Sequence, residues 1–111
     1  MNMITRFLVV LVAVTMLSSG LAFAAHHMHA ETGQKLFNDA KLGGGTKGKS
    51  CNSCHPGGKG LEGAGAKKNL EEMINTCIEG PVGGKKLDAK SAEMAALKAY
   101  IMSLGKKPAT K

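Results

Sequence analysis

Two cysteines and a histidine lie within five consecutive residues near the middle of the chain, as the sequence C-N-S-C-H over residues 51–55. The spacing places the two thiols one helical turn apart, with the imidazole directly after the second thiol. A disulfide between Cys51 and Cys54 would close a very small loop and restrain little of the unfolded chain. Cys77 is the third and last cysteine, so at most one disulfide can form and the cysteines do not build a disulfide scaffold.

This motif has the chemistry of a covalent haem site. C-x-x-C-H is the attachment signature of c-type haem, in which each thiol adds to a porphyrin vinyl group and the histidine becomes the proximal iron ligand. We predict one haem c, bound through Cys51 and Cys54 and ligated by His55. A thioredoxin-like motif would need a βαβ pattern, which the sequence lacks. A zinc knuckle would need a second ligand pair, whereas Cys77 stands alone.

The first 24 residues are predicted to be a cleaved signal peptide. Residues 1–6 carry one positive charge, residues 7–17 form an apolar run, and residues 22–24 are the small-x-small site A-F-A. The apolar run is too short to be a retained anchor helix, because a membrane span needs about 20 residues. We therefore expect export to the periplasm, with no stable membrane span after cleavage.

The predicted mature chain has a small supply of apolar side chains. Removal of residues 1–24 from 111 leaves 87 residues, among which Phe37 and Tyr100 are the only aromatic side chains and 14 are glycines. A domain of this size is marginally stable by itself, and glycine adds entropy to the unfolded chain without adding apolar surface. We expect a bound group to fill the core, which agrees with a haem.

The apolar periodicity predicts an all-α domain over residues 31–105, between a flexible tail at 25–30 and a second tail at 106–111. Glycine-rich loops connect the predicted helices and turn, which cover residues 31–42, 51–55, 70–78 and 92–104. Glu31 or Thr32 is expected to open the first helix, and a glycine run to end it. The third element has Asn69 as its predicted N-cap and a break at residues 80–81. The last helix is expected to open at Ser91 and end at Gly105.

Three motifs follow one another as G-x-x-L-F at residues 33–37, C-x-x-C-H at 51–55 and L-x-x-Y-I at 97–101. In this order they resemble a small class I c-type cytochrome. The resemblance implies that fold around one haem, with the first and last helices crossing where Gly33 meets Tyr100. A looser likeness, to the haem domains of thiosulfate-oxidising cytochromes, rests on three further stretches: I-N-T-C at 74–77, G-K-K-L at 84–87 and S-A-E-M at 91–94.

The sixth iron ligand is the point at which the chain departs from the family. The distal methionine of class I cytochromes usually lies in the loop before the last helix, but residues 80–90 contain no methionine. Four candidates lie in or near that region: Cys77, Met94, Met73 and Lys85. The likeness to thiosulfate-oxidising cytochromes implies Cys77, 22 residues after His55, as the first candidate. The two methionines also suit a core, the cysteine suits a small buried position, and an iron without a sixth ligand is a further alternative.

The combined features predict an electron-transfer protein rather than an enzyme, with an iron that alternates between ferric and ferrous states. Without the signal peptide the formal net charge is +6, from 14 lysines and 8 acidic residues. Lysines flank the loops expected around the haem and would steer redox partner proteins with acidic docking surfaces. Export and the scarcity of aromatic side chains argue against nucleic acid as a partner.

Two other functions stay open. The first is a haem subunit or haem enzyme that acts on sulfur compounds, peroxide or a small gas through an exchangeable distal ligand. Cys77 as a nucleophile would suit the sulfur chemistry. The second is a copper or zinc module, in which the motif at 51–55 would act together with His26, His27 and His29.

Overall fold

The computed structural model describes residues 25–106. This part of the chain contains four α-helices and no strand: α1 over 25–37, α2 over Cys51–Cys54, α3 over Leu70–Cys77 and α4 over Ala92–Leu104. The prediction of an all-α fold with three to four helices is confirmed. None of these helices is long and apolar enough to cross a membrane. The predicted signal peptide at 1–24 lies outside the described residues, as do residues 107–111.

The N-terminal part of α1 differs from the prediction. Residues 25–30, expected to be a flexible tail, are helical and continue directly into the rest of α1. This stretch contains neither glycine nor proline, so nothing in it interrupts a helix. The prediction that the helix opens at Glu31 or Thr32 is therefore wrong.

The C-terminal end of α1 comes five residues earlier than predicted, because two short polar side chains bind backbone groups there. Asn38 Nδ2 donates to the Gln34 carbonyl at 2.9 Å, and the Lys41 N–H donates to Asp39 Oδ1 at 2.8 Å. Such bonds offer the backbone an alternative to the helical pattern. The chain then turns through a short 3-10 segment, Leu42–Gly44.

α1 and α4 cross in close contact at Gly33. A Cβ atom added to Gly33 would overlap with the carbonyl oxygen of Ala96 and lie 2.8 Å from the Cβ of Tyr100. Only a residue without a side chain allows the two backbones to approach this closely. One turn further along α1, the Phe37 ring packs against Tyr100, with 5.1 Å between ring centroids and 59° between ring planes. The predicted contact between Gly33 and Tyr100 is confirmed.

The chain stays helical through the predicted break at residues 80–81. After Cys77 the helix widens into a π-helical turn, Ile78–Val82, which contains a proline. The first and last residues of this turn are fully buried, so the extra turn places two apolar side chains in the core. Gly83 then adopts a φ of 72°, which ends the turn at little steric cost because glycine has no Cβ.

α4 has the predicted bounds and supplies a large share of the core. Its N-terminus is capped by Ser91, whose Oγ accepts the N–H of Met94 at 3.1 Å, and Gly105 is its C-cap. Five large side chains of α4 are buried: Met94, Leu97, Tyr100, Ile101 and Leu104. They pack with side chains from α1, α3 and the π-helical turn in a single apolar cluster.

We expect Gly33→Ala to lower the free energy of unfolding by about 1–3 kcal/mol, because the new methyl group forces α1 and α4 apart. Gly63→Ala is the matched control, since a Cβ there would meet no atom within 4 Å. The control should change the stability by less than about 0.5 kcal/mol. Urea unfolding of the haem-loaded protein, followed by helical circular dichroism, measures both. Equal stabilities of the two variants would contradict the close crossing.

Candidate functional site

α2 is a single helical turn whose ends are fixed by local hydrogen bonds. Ser50 precedes the turn, is buried, and donates its N–H to Ser53 Oγ at 3.0 Å. The His55 N–H donates to the Cys51 carbonyl at 2.9 Å and closes the turn. Cys51 is only 6% exposed, whereas Cys54 is exposed. The predicted helical turn at the motif is confirmed, and it points one thiol inward and the other outward.

The His55 ring is held in one tautomer by the backbone that follows it. Its Nδ1 lies 3.1 Å from the carbonyl oxygen of Lys59. A carbonyl can only accept, so Nδ1 carries the proton and Nε2 keeps its lone pair for a metal. The intervening turn is held by the Gly57 N–H, which donates to Asn52 Oδ1 at 2.8 Å. The motif therefore presents a ready imidazole ligand.

An apolar cavity of about 110 Å³ lies beside the motif, among all four helices. Its apolar walls are formed by Phe37, Leu61, Ala64, Leu70, Ile74, Leu97 and Ile101. Cys51 and His55 border it from α2 and the residue after it. A second, open cleft of about 430 Å³ is bordered by Cys54 and again by His55.

The residues that line the cavity and the cleft are chemically suited to binding a haem. One thiol of the motif borders the apolar cavity, the other borders the open cleft, and the imidazole of His55 borders both. A flat macrocycle attached at both thiols needs this arrangement, with apolar walls around its inner part. The donor set and the walls therefore fit one covalent haem, ligated through His55 Nε2.

Two of the four candidate distal ligands lie beside the cavity and the cleft. Met73 and Cys77, one turn apart on α3, border both the cavity and the cleft together with His55. Met94 is fully buried in the core and borders neither space. Lys85 also borders neither, because its N–H donates to the Gly43 carbonyl at 2.8 Å and holds the loop there.

Cys51 and Cys77 form a close pair of sulfur atoms. Their Sγ atoms are 3.8 Å apart, and in the neutral pair Cys77 donates to Cys51. Once Cys77 loses its proton, the Cys51 thiol becomes the donor, which lowers the pKa of Cys77 to about 6 in spite of desolvation. The same hydrogen bond raises the pKa of Cys51. A thioether has no S–H group, so haem attachment at Cys51 would remove this donor.

Asn75 borders neither space, but it supports the helix that borders both, and the sequence did not single it out. Its Nδ2 donates to the Leu87 carbonyl at 3.0 Å, and its Oδ1 accepts the Leu87 N–H at 2.8 Å. This pair of bonds fastens the loop before α4 to α3, the helix that carries Met73 and Cys77. An asparagine in the middle of an amphipathic helix is the available signal, since such side chains often bind backbone groups elsewhere.

The N-terminal histidines are not assembled into a metal site. His26, His27 and His29 are exposed on α1. Within residues 25–106, no group of three or more histidine, cysteine or acidic side chains is placed to hold a metal ion. The structure gives no support to the copper or zinc module.

Comparison with known proteins identifies the family of the chain. The family model described as SoxA/TsdA, cytochrome c domain, matches residues 32–108. This range contains nearly all of the described chain, including the motif at 51–55 and both candidate ligands on α3. Neither the curated proteins nor the solved structures contain a match.

We expect Asn75→Ala to lower the free energy of unfolding by about 1–3 kcal/mol, because the Leu87 N–H and carbonyl lose their partner. Thr76→Ala is the control, since Thr76 Oγ1 only donates to the Glu72 carbonyl of its own helix. Hydrogen exchange of the haem-loaded protein measures the local effect. The Leu87 amide should lose its protection in Asn75→Ala and keep it in Thr76→Ala; retention in both would show that Asn75 does not hold the loop.

Proposed function

Because the chain belongs to the family of SoxA/TsdA cytochrome c domains, we propose that it carries single electrons between redox partners in the periplasm. A domain of this family implies covalently attached haem c, and the small size of the chain fits one haem. The observation that carries the proposal is the geometry of the motif. It is a single helical turn with two thiols, followed by a histidine whose Nδ1 is held by the Lys59 carbonyl.

In this proposal the residues of the chain have separate tasks. Cys51 and Cys54 hold the haem, which supplies one-electron redox chemistry when bound. His55 ligates the iron through Nε2, and the bond from its Nδ1 to Lys59 fixes the ring orientation. The apolar walls of the cavity exclude water from the inner face of the site and lower the local dielectric, which tunes the reduction potential.

We propose Cys77 as the distal ligand, with Met73 as the alternative. Both border the same two spaces as His55. The likeness to thiosulfate-oxidising cytochromes, which implies Cys77, is supported by the match to the SoxA/TsdA cytochrome c domain. A thiolate would stabilise ferric iron and lower the reduction potential, whereas a thioether would raise it.

The partners proposed for this carrier have acidic docking surfaces. Seven lysines in the loops are exposed: Lys47, Lys49, Lys59, Lys67, Lys68, Lys85 and Lys86. Together with the net positive charge of the chain, they favour association with negatively charged proteins at rates that fall as salt is added.

A second candidate function is supported by the open cleft. Cys77 is partly exposed and borders this cleft of about 430 Å³. The haem would lie in this cleft, so a small sulfur compound held at Cys77 would be next to it, which suits a haem subunit or haem enzyme with an exchangeable distal ligand. Rapid binding of carbon monoxide by the reduced protein would favour this candidate, and slow or absent binding would favour the simple carrier.

We expect the haem-loaded protein to give a pyridine haemochrome spectrum of a haem with two thioether bonds. Cys51→Ala and Cys54→Ala should each shift the main band to longer wavelength, because one vinyl group stays unsaturated. Cys77→Ala is the matched control and should keep the spectrum of two thioethers. A wild-type protein without covalent haem, after export with the haem-attachment machinery, would contradict the proposal.

We expect Cys77→Ala to alter the ferric absorption spectrum and raise the reduction potential, because a thiolate ligand would be lost. Met73→Leu is the matched control on the same helix, and it should leave the ferric spectrum unchanged. A near-infrared band typical of methionine ligation in the wild type, lost in Met73→Leu, would transfer the assignment from Cys77 to Met73.

A further inference from the structure

The carbonyl group that holds the His55 ring belongs to a loop rich in glycine. Residues 56–59 have the sequence P-G-G-K, and the Lys59 carbonyl oxygen lies 3.1 Å from His55 Nδ1. Gly57 and Gly58 have φ angles of 62° and 82°, a left-handed conformation in which the chain turns back toward the histidine. Two consecutive glycines also leave a loop much conformational freedom, so the position of this carbonyl group depends on what else holds the loop.

Two contacts hold the loop, one at each of its glycines. The Gly57 N–H donates to Asn52 Oδ1 at 2.8 Å, which ties the loop to the single turn α2. Gly58 is buried against α4, where an added Cβ atom would overlap with the side chain of Leu104. Because Gly57 itself is exposed, the outer part of the loop depends on the hydrogen bond to Asn52.

Asn52 occupies one of the two positions of the C-x-x-C-H motif to which haem attachment assigns no chemistry. Its side chain borders neither the apolar cavity nor the open cleft, in contrast to Cys51, Cys54 and His55. Any effect of Asn52 on a group bound in these spaces must therefore pass through another residue. The loop that it holds leads directly to the carbonyl group on His55.

We propose that Asn52 is a positioning residue for the axial ligand. By holding the Gly57 N–H, Asn52 keeps the Lys59 carbonyl group against His55 Nδ1, and so sets the orientation of the imidazole ring and the donor strength of Nε2. The inference rests on the proposed ligation of a haem iron by His55. It gives a task to a position of the motif that the attachment chemistry leaves open.

The chemistry fixes the direction of the effect. A hydrogen bond donated by Nδ1 makes the imidazole more basic, so Nε2 becomes a stronger donor to a metal. A stronger axial donor stabilises ferric iron relative to ferrous iron, which lowers the reduction potential. Loss of the bond between Asn52 and Gly57 would let the loop move and weaken the bond from His55 Nδ1 to the Lys59 carbonyl. The reduction potential would then rise.

Two substitutions of Asn52 in the haem-loaded protein test the proposal. Asn52→Ala removes the acceptor, whereas the carboxylate of Asn52→Asp keeps an oxygen for the Gly57 N–H. Asn38→Ala is the matched control, since Asn38 Nδ2 donates to the Gln34 carbonyl at the end of α1. Ser91→Ala is a second control, which weakens the N-cap of α4 and lowers the stability without touching the loop.

Nuclear magnetic resonance of the ferrous protein measures how fast the His55 Nδ1 proton exchanges with solvent, which requires the bond to Lys59 to open. We expect this exchange to be about three to ten times faster in Asn52→Ala, because the net contribution of one hydrogen bond is lost. Asn52→Asp and both controls should keep the wild-type rate. The reduction potential should rise in Asn52→Ala and stay unchanged in Asn38→Ala and Ser91→Ala.

Equal exchange rates in the wild type and Asn52→Ala would overturn the proposal. Faster exchange in Ser91→Ala to the same extent would also overturn it, because the effect would then follow from stability alone. The ring protons of a histidine bound to haem iron are strongly shifted by the macrocycle, so the same spectra show whether His55 is a ligand. Shifted ring protons with equal exchange rates would overturn this inference alone, whereas unshifted ring protons in the wild type would overturn the proposed ligation and the inference with it.

Discussion

The crossing of α1 over α4 at Gly33 sets the relative position of the two walls that these helices contribute to the site. Because a Cβ atom at Gly33 would overlap with the Ala96 carbonyl, the two helices can lie in contact only with glycine at this position. Phe37 on α1 and Ile101 on α4 both face the same apolar cavity. The width of that cavity therefore depends on a residue that does not touch it.

The remaining wall is α3, which is joined to the rest of the protein through polar contacts as well as apolar ones. Ile74 is buried in the core, while Asn75 holds the next loop and Glu71 pairs with Lys98 of α4 at 2.6 Å. The sulfur atoms of Met73 and Cys77 are thereby kept next to His55. A helix of eight residues has little stability by itself, so these tertiary contacts decide where its sulfur atoms lie.

Strong local signals explain what the sequence could predict. The motif at 51–55 and the capped helix Ala92–Leu104 depend on spacing and on N-cap chemistry, both of which act within a few residues. The end of α3 could not be predicted in this way, because burial of Ile78 and Val82 outweighs the preference of proline and glycine for a break. Likewise, the approach of Cys77 to Cys51, and the position of Lys85 away from the cavity, depend on contacts between segments distant in the chain.

The two motif cysteines are unequally exposed, so the two ends of the site differ in their access to solvent. Cys51 is 6% exposed and Cys54 lies at the surface, so a group bound to both would have one dry edge and one edge close to solvent. Electron tunnelling weakens steeply with distance, and the shortest path out of the protein would run through the edge at Cys54. Electrons would therefore enter and leave at that edge, and the buried Cys51 sulfur would lie at the end of the group farther from solvent.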